Sequence, residues 1–223
     1  MTLHRDRGTR PAAYGLGYYW RRLELRWLLL RARLLGPPRV LMHDSETNVA
    51  ILRAFGARIG AVNVRIHAPL VLHGAEAGYA NLTIGDGCIV TGNVYLDLAE
   101  RITLEEGVSI GPGTIVMTHN RFNYNPILEE RLAHQCGVAG VSFGRGSSIK
   151  AGAIVNRGVT IGANSVVAAG AVVTHDVDSL CWVAGIPARV VKRIGQDPSG
   201  GTATATDEGP PGALSRSGVR PEA

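Results

Sequence analysis

Residues 143–178, FGRGSSIKAGAIVNRGVTIGANSVVAAGAVVTHDVD, divide without remainder into hexads. Position one is always large and apolar: Phe143, Ile149, Val155, Ile161, Val167 and Val173. If roughly three residues in ten are this apolar, such a run at fixed spacing arises by chance about once in a thousand. Position five is small or β-branched throughout: Ser147, Ala153, Val159, Ser165, Ala171 and Val177. The same frame recurs upstream as IGDGCI and VTGNVY from Ile84, then as LEEGVS and IGPGTI from Leu104.

A period of six is no multiple of the helical 3.6, and it is too long for simple strand alternation. An ordinary sandwich is also excluded, since its strands turn every ~8–12 residues. The spacing fits a coil with flat faces, in which each hexad supplies one short strand and one turn. The aliphatic side chain points inward, and the small residue sits where the interior leaves least room. Stacked coils then pair their strands in parallel and bury one continuous apolar column. The fold class is an all-β solenoid.

Around this core the composition changes. Of the 223 residues 29 are Gly and 11 Pro, with no strict triplet period, so a collagen-like chain is excluded. Hydrophobic content of 45% rules out a wholly disordered chain. Residues 1–16 are polar and expected to be loose. Residues 17–41 read as a helix stopped by Gly36 and the Pro37–Pro38 pair. Trp20, Leu23, Trp27, Leu30 and Leu34 share one face of it, while Arg22, Arg26 and Arg33 form a narrow opposite stripe. This face packs against the body or a neighbouring subunit, or else lies at a membrane interface with its arginines at the headgroups. A second helix is predicted from Ser45 to Phe55, capped by Asp44 or Ser45 and ended by a left-handed Gly56. The domain plan is a helical segment over 17–55, the solenoid over 56–195 with a loop insertion at 120–140, and a Gly/Pro/Ser/Thr-rich disordered tail over 196–223.

The formal charge of +5 is concentrated at one end, because nine arginines precede residue 40. Aromatic residues make up only 5%, and no basic run carries a stacking pattern, which argues against nucleic-acid binding. Cys88, Cys136 and Cys181 show no zinc or disulfide spacing. With no secretory signal and no apolar stretch near ~20 residues, a cytoplasmic protein is expected, peripheral at the inner membrane face if the first helix binds lipid.

Over about residues 56–195 the chain resembles the hexapeptide-repeat acyltransferases, a family of left-handed parallel β-helices. The resemblance rests on GARIG at 56–60, the repeats, an interruption after MTHN at 117–120, and the exit VAGIPARVVKRI at 183–194. It is greatest toward the galactoside, maltose and nodulation-factor O-acetyltransferases. It implies a homotrimer in which acetyl-CoA and the acceptor meet in a groove between subunits, with no metal required. It also implies a short C-terminal helix started by Pro187.

Acetyl transfer from a thioester to a hydroxyl needs a base, because an alcohol is a weak nucleophile at neutral pH. The resemblance assigns that role to His119; the alternative is a His that caps a turn. His134 either lines the acceptor groove or is a solvated loop residue. His67, His73 and His175 have no partner at metal spacing along the chain, and Tyr124 stands where related carbonic anhydrases need a third histidine. Asp97 matches an aspartate that contacts the acceptor or supports the base, and is otherwise an exposed turn residue. Asn93 lies near, but out of register with, an Asn that holds substrate. Ala151, Ala169 and Thr174 match cofactor contacts, or simply satisfy the repeat. Arg189 and Lys192 match the positions that meet the CoA phosphates, or are the charged last turn of a helix.

Two departures bear on the acceptor. Ser148 stands where many relatives place a Trp, and Lys150 where they place a Gly, so an anionic or larger acceptor is expected in place of a neutral sugar. The resulting expectation is an acetyl-CoA-dependent O-acetyltransferase acting on a sugar or glycan hydroxyl. The alternatives are transfer to a natural-product or antibiotic hydroxyl, and a non-catalytic scaffold.

Overall fold

A computed structural model describes residues 36–195 except 76, 77 and 122–124, together with residues 23, 26–28, 30, 31, 34 and 35 of the preceding segment. The expectations for residues 1–16 and 196–223 lie outside the described residues.

The hexads coil into a three-faced prism. The first face holds strands Val40–Leu41, Leu70–His73, Val94–Asp97, Ile115–Val116, Ile154–Val155 and Val172–Val173, neighbours in that order. The second holds Arg58–Ile59, Leu82–Ile84, Ile102–Leu104, Val141–Phe143 and Thr160–Ile161. The third runs from Arg65–Ile66 through Ile89–Val90, Ser109–Ile110, Ser148–Ile149 and Val166–Val167 to a terminal hairpin, Cys181–Gly185 with Ala188–Arg193.

Pairing within the coils is parallel, and it brings equivalent hexad positions together. Ile84, Leu104, Phe143 and Ile161 stack in register on the second face. Val90, Ile110, Ile149 and Val167 do so on the third, and Leu96, Val116, Val155 and Val173 on the first. None of these twelve is more than 1% exposed, so each contributes the ~1.5–3 kcal/mol of a fully buried apolar side chain. Position five is equally enclosed: Ser147, Ala153, Ser165 and Ala171 are all at 0%. The corners are tight. A Cβ on Gly111 would lie 2.7 Å from the Ala151 nitrogen, which fixes glycine at that turn.

Both ends of the stack are closed. Helix α1, Ser45–Ala54, has Asp44 as its N-cap, accepting from the Thr47 N–H at 3.1 Å, and is followed by Gly56 at φ +100°. It buries Asn48, Ile51 and Leu52 against the first coil. The Asn48 amide donates to the Ile66 carbonyl at 3.1 Å, and Ser45 Oγ accepts the Ile66 N–H at 2.8 Å. At the other end Cys181–Gly185 pairs parallel with Val166–Val167 on the third face, and Ala188–Arg193 folds back on it antiparallel, with Ala184 opposite Arg189 and Trp182 opposite Lys192.

Two expectations are corrected. Residues 188–193 form a strand, not a short C-terminal helix. Val190 and Val191 favour extended backbone, and the otherwise unpaired Cys181–Gly185 edge supplies a hydrogen-bonding partner. Likewise the last residues of the 17–41 segment are not helical: the helix ends at Leu35, at the stop expected from Gly36, among the described residues. Gly36 at φ +87° and two prolines end it, and Val40–Leu41 pairs antiparallel with Leu70–Val71.

If inward stacking carries the fold, Phe143→Ala lowers the unfolding free energy by about 3–5 kcal/mol in urea denaturation. Its outward neighbour Ser142→Ala changes it by less than about 0.5 kcal/mol.

Candidate active site

At the edge between the first and second faces the hexad period breaks. The chain leaves the coil at His119–Asn120, forms helix α2 (Pro126–Arg131) and a 3-10 turn (Ala133–Gln135), and returns through Gly137–Val138. The outgoing and returning strands pair antiparallel, His119 opposite Val138. The base of this arm is tied down: the Gln135 carbonyl accepts from Arg157 Nη2 at 2.9 Å and from the Asn120 amide at 3.2 Å. His134 is exposed on the 3-10 turn, as a solvated loop residue would be.

Beneath the arm, successive coils bring His73, Asp97 and Thr118–His119 side by side. His73 and Asp97 end neighbouring strands in register. Asp97 is fully buried, so it is not an exposed turn residue. Its Oδ2 accepts from the backbone N–H groups of Thr118 at 2.8 Å and His119 at 2.9 Å, and lies 2.5 Å from His119 Nδ1. Thr118 Oγ1 is 3.1 Å from Oδ2 and 2.8 Å from the Asp97 carbonyl. Oδ1 accepts from the Ala99 N–H at 3.3 Å and faces His73 Nδ1 at 3.4 Å.

This environment sets the charge. Burial alone would push the Asp97 carboxyl up; the Thr118 and Ala99 N–H groups and the His119 ring outweigh it and hold the group below the usual carboxylate range. Asp97 is therefore an anion that accepts from Nδ1–H. That bond fixes the ring's tautomer and leaves Nε2 with the lone pair. The His119 side chain is 24% exposed, so a proton acceptor on a rigid mount reaches solvent at this edge.

His73 is a site residue that spacing along the chain did not disclose. Its ring stacks on His119 with centroids 5.5 Å apart and planes at 15°, and on Tyr95 at 6.1 Å and 24°. The usable signal is the stacking register, which makes position 73 the neighbour of Asp97 one coil below. His73, Asp97 and His119 also offer ligand-type atoms within 4.8 Å of one another. Backbone N–H groups and the His119 ring already occupy the lone pairs of Asp97.

The remaining expected residues fall elsewhere. Thr174 is on the same edge as His119, two coils on, with Oγ1 2.9 Å from His175 Nδ1. Beside it a recess of about 330 Å³ is lined by Val173, His175, Asp176, Val183, Ala188 and Arg189, among others. Lys192 is exposed on the hairpin. Asn93, Lys150, Ala151 and Ala169 line a different edge, between the third and first faces, where all four are exposed. Asn93 takes a left-handed turn at φ +61°, four residues and about 13 Å of strand from Asp97. Ser148 is half-buried on the third face, its Oγ 3.0 Å from Ser109 Oγ. Within one chain these residues do not meet His119.

No protein-family model matches the chain, and no curated protein matches it in sequence. Solved structures do match. A hexapeptide-repeat acetyltransferase from Vibrio cholerae O1 biovar eltor, complexed with acetyl coenzyme A, is 28% identical with a TM-score of 0.60, over 81% of this chain and 92% of that one. A maltose O-acetyltransferase from Clostridium difficile 630 is 25% identical with a TM-score of 0.58, over 82% and 91%. A galactoside acetyltransferase in complex with coenzyme A is 22% identical with a TM-score of 0.58, over 80% and 83%, a likeness of fold alone. The prism is thus the left-handed parallel β-helix of the hexapeptide-repeat acetyltransferases.

Asp97→Asn tests the electrostatics without changing shape. A carboxylate whose folded pKa is depressed contributes stability that is complete above its ordinary pKa of about 3.9 and fades as pH falls through the folded value. The variant is expected to lose about 1–3 kcal/mol at pH 7, a deficit that narrows below about pH 4. Equal deficits at both pH values, by urea denaturation, would contradict the assignment.

Proposed function

We propose that the protein is an acetyl-CoA-dependent O-acetyltransferase in which His119 is the general base and Asp97 its positioning residue. The observation that carries this is the buried carboxylate 2.5 Å from Nδ1, with its other lone pairs directed at backbone N–H groups. A non-catalytic scaffold gains nothing from burying an ion beside a solvent-reaching imidazole, whereas a base needs that mount. The likeness to an acetyltransferase complexed with acetyl-CoA supports the choice of donor.

The chemistry follows from the geometry. Nε2 takes the proton of an acceptor hydroxyl while its oxygen attacks the thioester carbonyl, forming the new C–O bond. Asp97 stabilises the imidazolium that results. Backbone N–H groups in the groove stabilise the tetrahedral oxyanion. Collapse breaks the C–S bond, and the imidazolium returns its proton to the departing CoA thiolate.

The expected donor residues define where the thioester arm runs. Around Ala151, Gly152, Ala169 and Gly170 the edge is made of small residues in hydrogen-bonded turns, with the Gly170 N–H donating to the Ala151 carbonyl at 2.9 Å, so a pantetheine arm can lie along it. Arg189 and Lys192 would meet the CoA phosphates, and Thr174 the arm near the base. That edge and the His119 edge belong to different corners of one prism. They can share a substrate only when two copies face each other, which supports a homotrimer with sites between subunits. The exposed Ile127, Leu128 and Val138 of the arm suit such a contact.

For the acceptor, a sugar or glycan hydroxyl is the reading the maltose O-acetyltransferase likeness supports. Asn93, Ser148 and Lys150 would contact it from the neighbouring copy, with Lys150 favouring an anionic acceptor. A thioester donor of this kind and three free cysteines support a cytoplasmic location.

Calorimetric titration with acetyl-CoA tests the donor site directly. Binding is expected, weakened about tenfold or more by Arg189→Ala through loss of a charge-assisted phosphate contact. In an acetyl-transfer assay His119→Ala lowers kcat by about 10²–10⁴-fold with donor affinity retained. A folded protein that does not bind acetyl-CoA would overturn the proposal.

A further inference from the structure

Leu23, Trp27, Leu30 and Leu34 are helical and 50%, 72%, 52% and 80% exposed. At 100° per residue they fall within an arc of about 60°, one continuous apolar stripe. Leu28 lies on another side of the helix and packs against the hydrophobic core, so the helix is seated on the body with the stripe facing away. Arg26 and Arg31 are exposed and flank the stripe, one on each shoulder. From residue 17 to 39 the chain carries Arg21, Arg22, Arg26, Arg31, Arg33 and Arg39 against the single acid Glu24.

The chain that follows the helix is tied to the body. The Pro38 carbonyl accepts from the hydroxyl of the buried Tyr79 at 2.5 Å, and the Arg39 carbonyl accepts the Leu72 N–H at 2.7 Å. Val40–Leu41 then joins the first face, three strand spacings or about 14 Å from the strand that leads into His119. Among the described residues no helix is long and apolar enough to cross a membrane.

We propose that this helix docks the protein on an anionic bilayer, the apolar stripe entering the acyl boundary and Arg26 and Arg31 meeting the lipid phosphates. A Trp and leucines between arginine shoulders suit that boundary, where long basic side chains bury their stems and keep their charge at the headgroups. The charge disfavours a symmetric pairing of two such helices, which would bring like charges together. An anionic surface is complementary to it. The inference is independent of the acetyl-transfer chemistry.

The test is co-sedimentation of the full chain with phosphatidylcholine vesicles containing phosphatidylglycerol, beside pure phosphatidylcholine. Binding is expected to the anionic vesicles alone, to weaken with added salt, and to blue-shift the tryptophan emission. Each arginine near such a surface is worth about a fivefold change in partitioning, so Arg26→Gln with Arg31→Gln lowers it about thirtyfold. Trp27→Glu with Leu30→Glu abolishes it, while both double variants keep acetyl transfer to a soluble acceptor. Failure of the unaltered protein to bind at low salt overturns the proposal, as does binding that neither variant weakens. A change in oligomeric mass on Trp27→Glu with Leu30→Glu, by sedimentation equilibrium, assigns the stripe to a subunit contact and also overturns it.

Discussion

Everything in this protein is arranged around a triangular shaft into which each face of each coil turns a large apolar side chain at hexad position one. Strand spacing of about 4.8 Å brings each such residue against its equivalent in the next coil, so a ladder such as Leu104, Phe143 and Ile161 is dry along its length. Position five is sealed as well, at Ser147, Ala153, Ser165 and Ala171. Because the interior is so uniform, it carries little chemistry. Chemistry is confined to the corners, where turns can differ from coil to coil without disturbing the shaft.

His119 shows how a corner becomes a site. The arm that begins there interrupts the period, yet Val116 before it and Val141 after it remain buried and in register. The ladders therefore hold the two ends of the arm and set the backbone of Thr118 and His119 against the Asp97 carboxylate. A buried anion is costly unless its lone pairs are used. Here the requirement is met by the turn itself, whose Thr118 and His119 N–H groups donate to the carboxylate at the break in the coil. One arrangement satisfies the backbone, stabilises the charge and orients the imidazole.

How much of this was legible follows from the same logic. The shaft was readable because a period repeated over residues 143–178 leaves one physical solution, and the positions named as inward are the buried ones. Helix α1 was readable from Asp44 and Gly56, whose capping roles are local. The His119–Asp97 pair was reached through resemblance. His73 was missed because its partner is 24 positions away, across a coil longer than the regular three hexads and not at any spacing searched for metal ligands. The terminal strand 188–193 was misread for a comparable reason. Pro187 suits the first position of a helix, and the open edge of Cys181–Gly185, with Val190 and Val191 favouring extended backbone, decides otherwise. Whether edges from two copies meet is likewise a property of the assembly, not of residue spacing.

The closed ends of the stack have a consequence beyond stability. Parallel coils at a constant spacing form the same kind of ladder that lets amyloid strands add indefinitely, and an uncovered terminal coil would be a template for the next molecule. At one end Asn48 and Ser45 of α1 occupy the Ile66 carbonyl and N–H. At the other the Ala188–Arg193 strand runs antiparallel across the growing edge, with Arg189, Lys192 and Arg193 along it. A parallel newcomer therefore meets the wrong strand polarity and a row of positive charge. The two plugs give a polymer-like architecture a definite length.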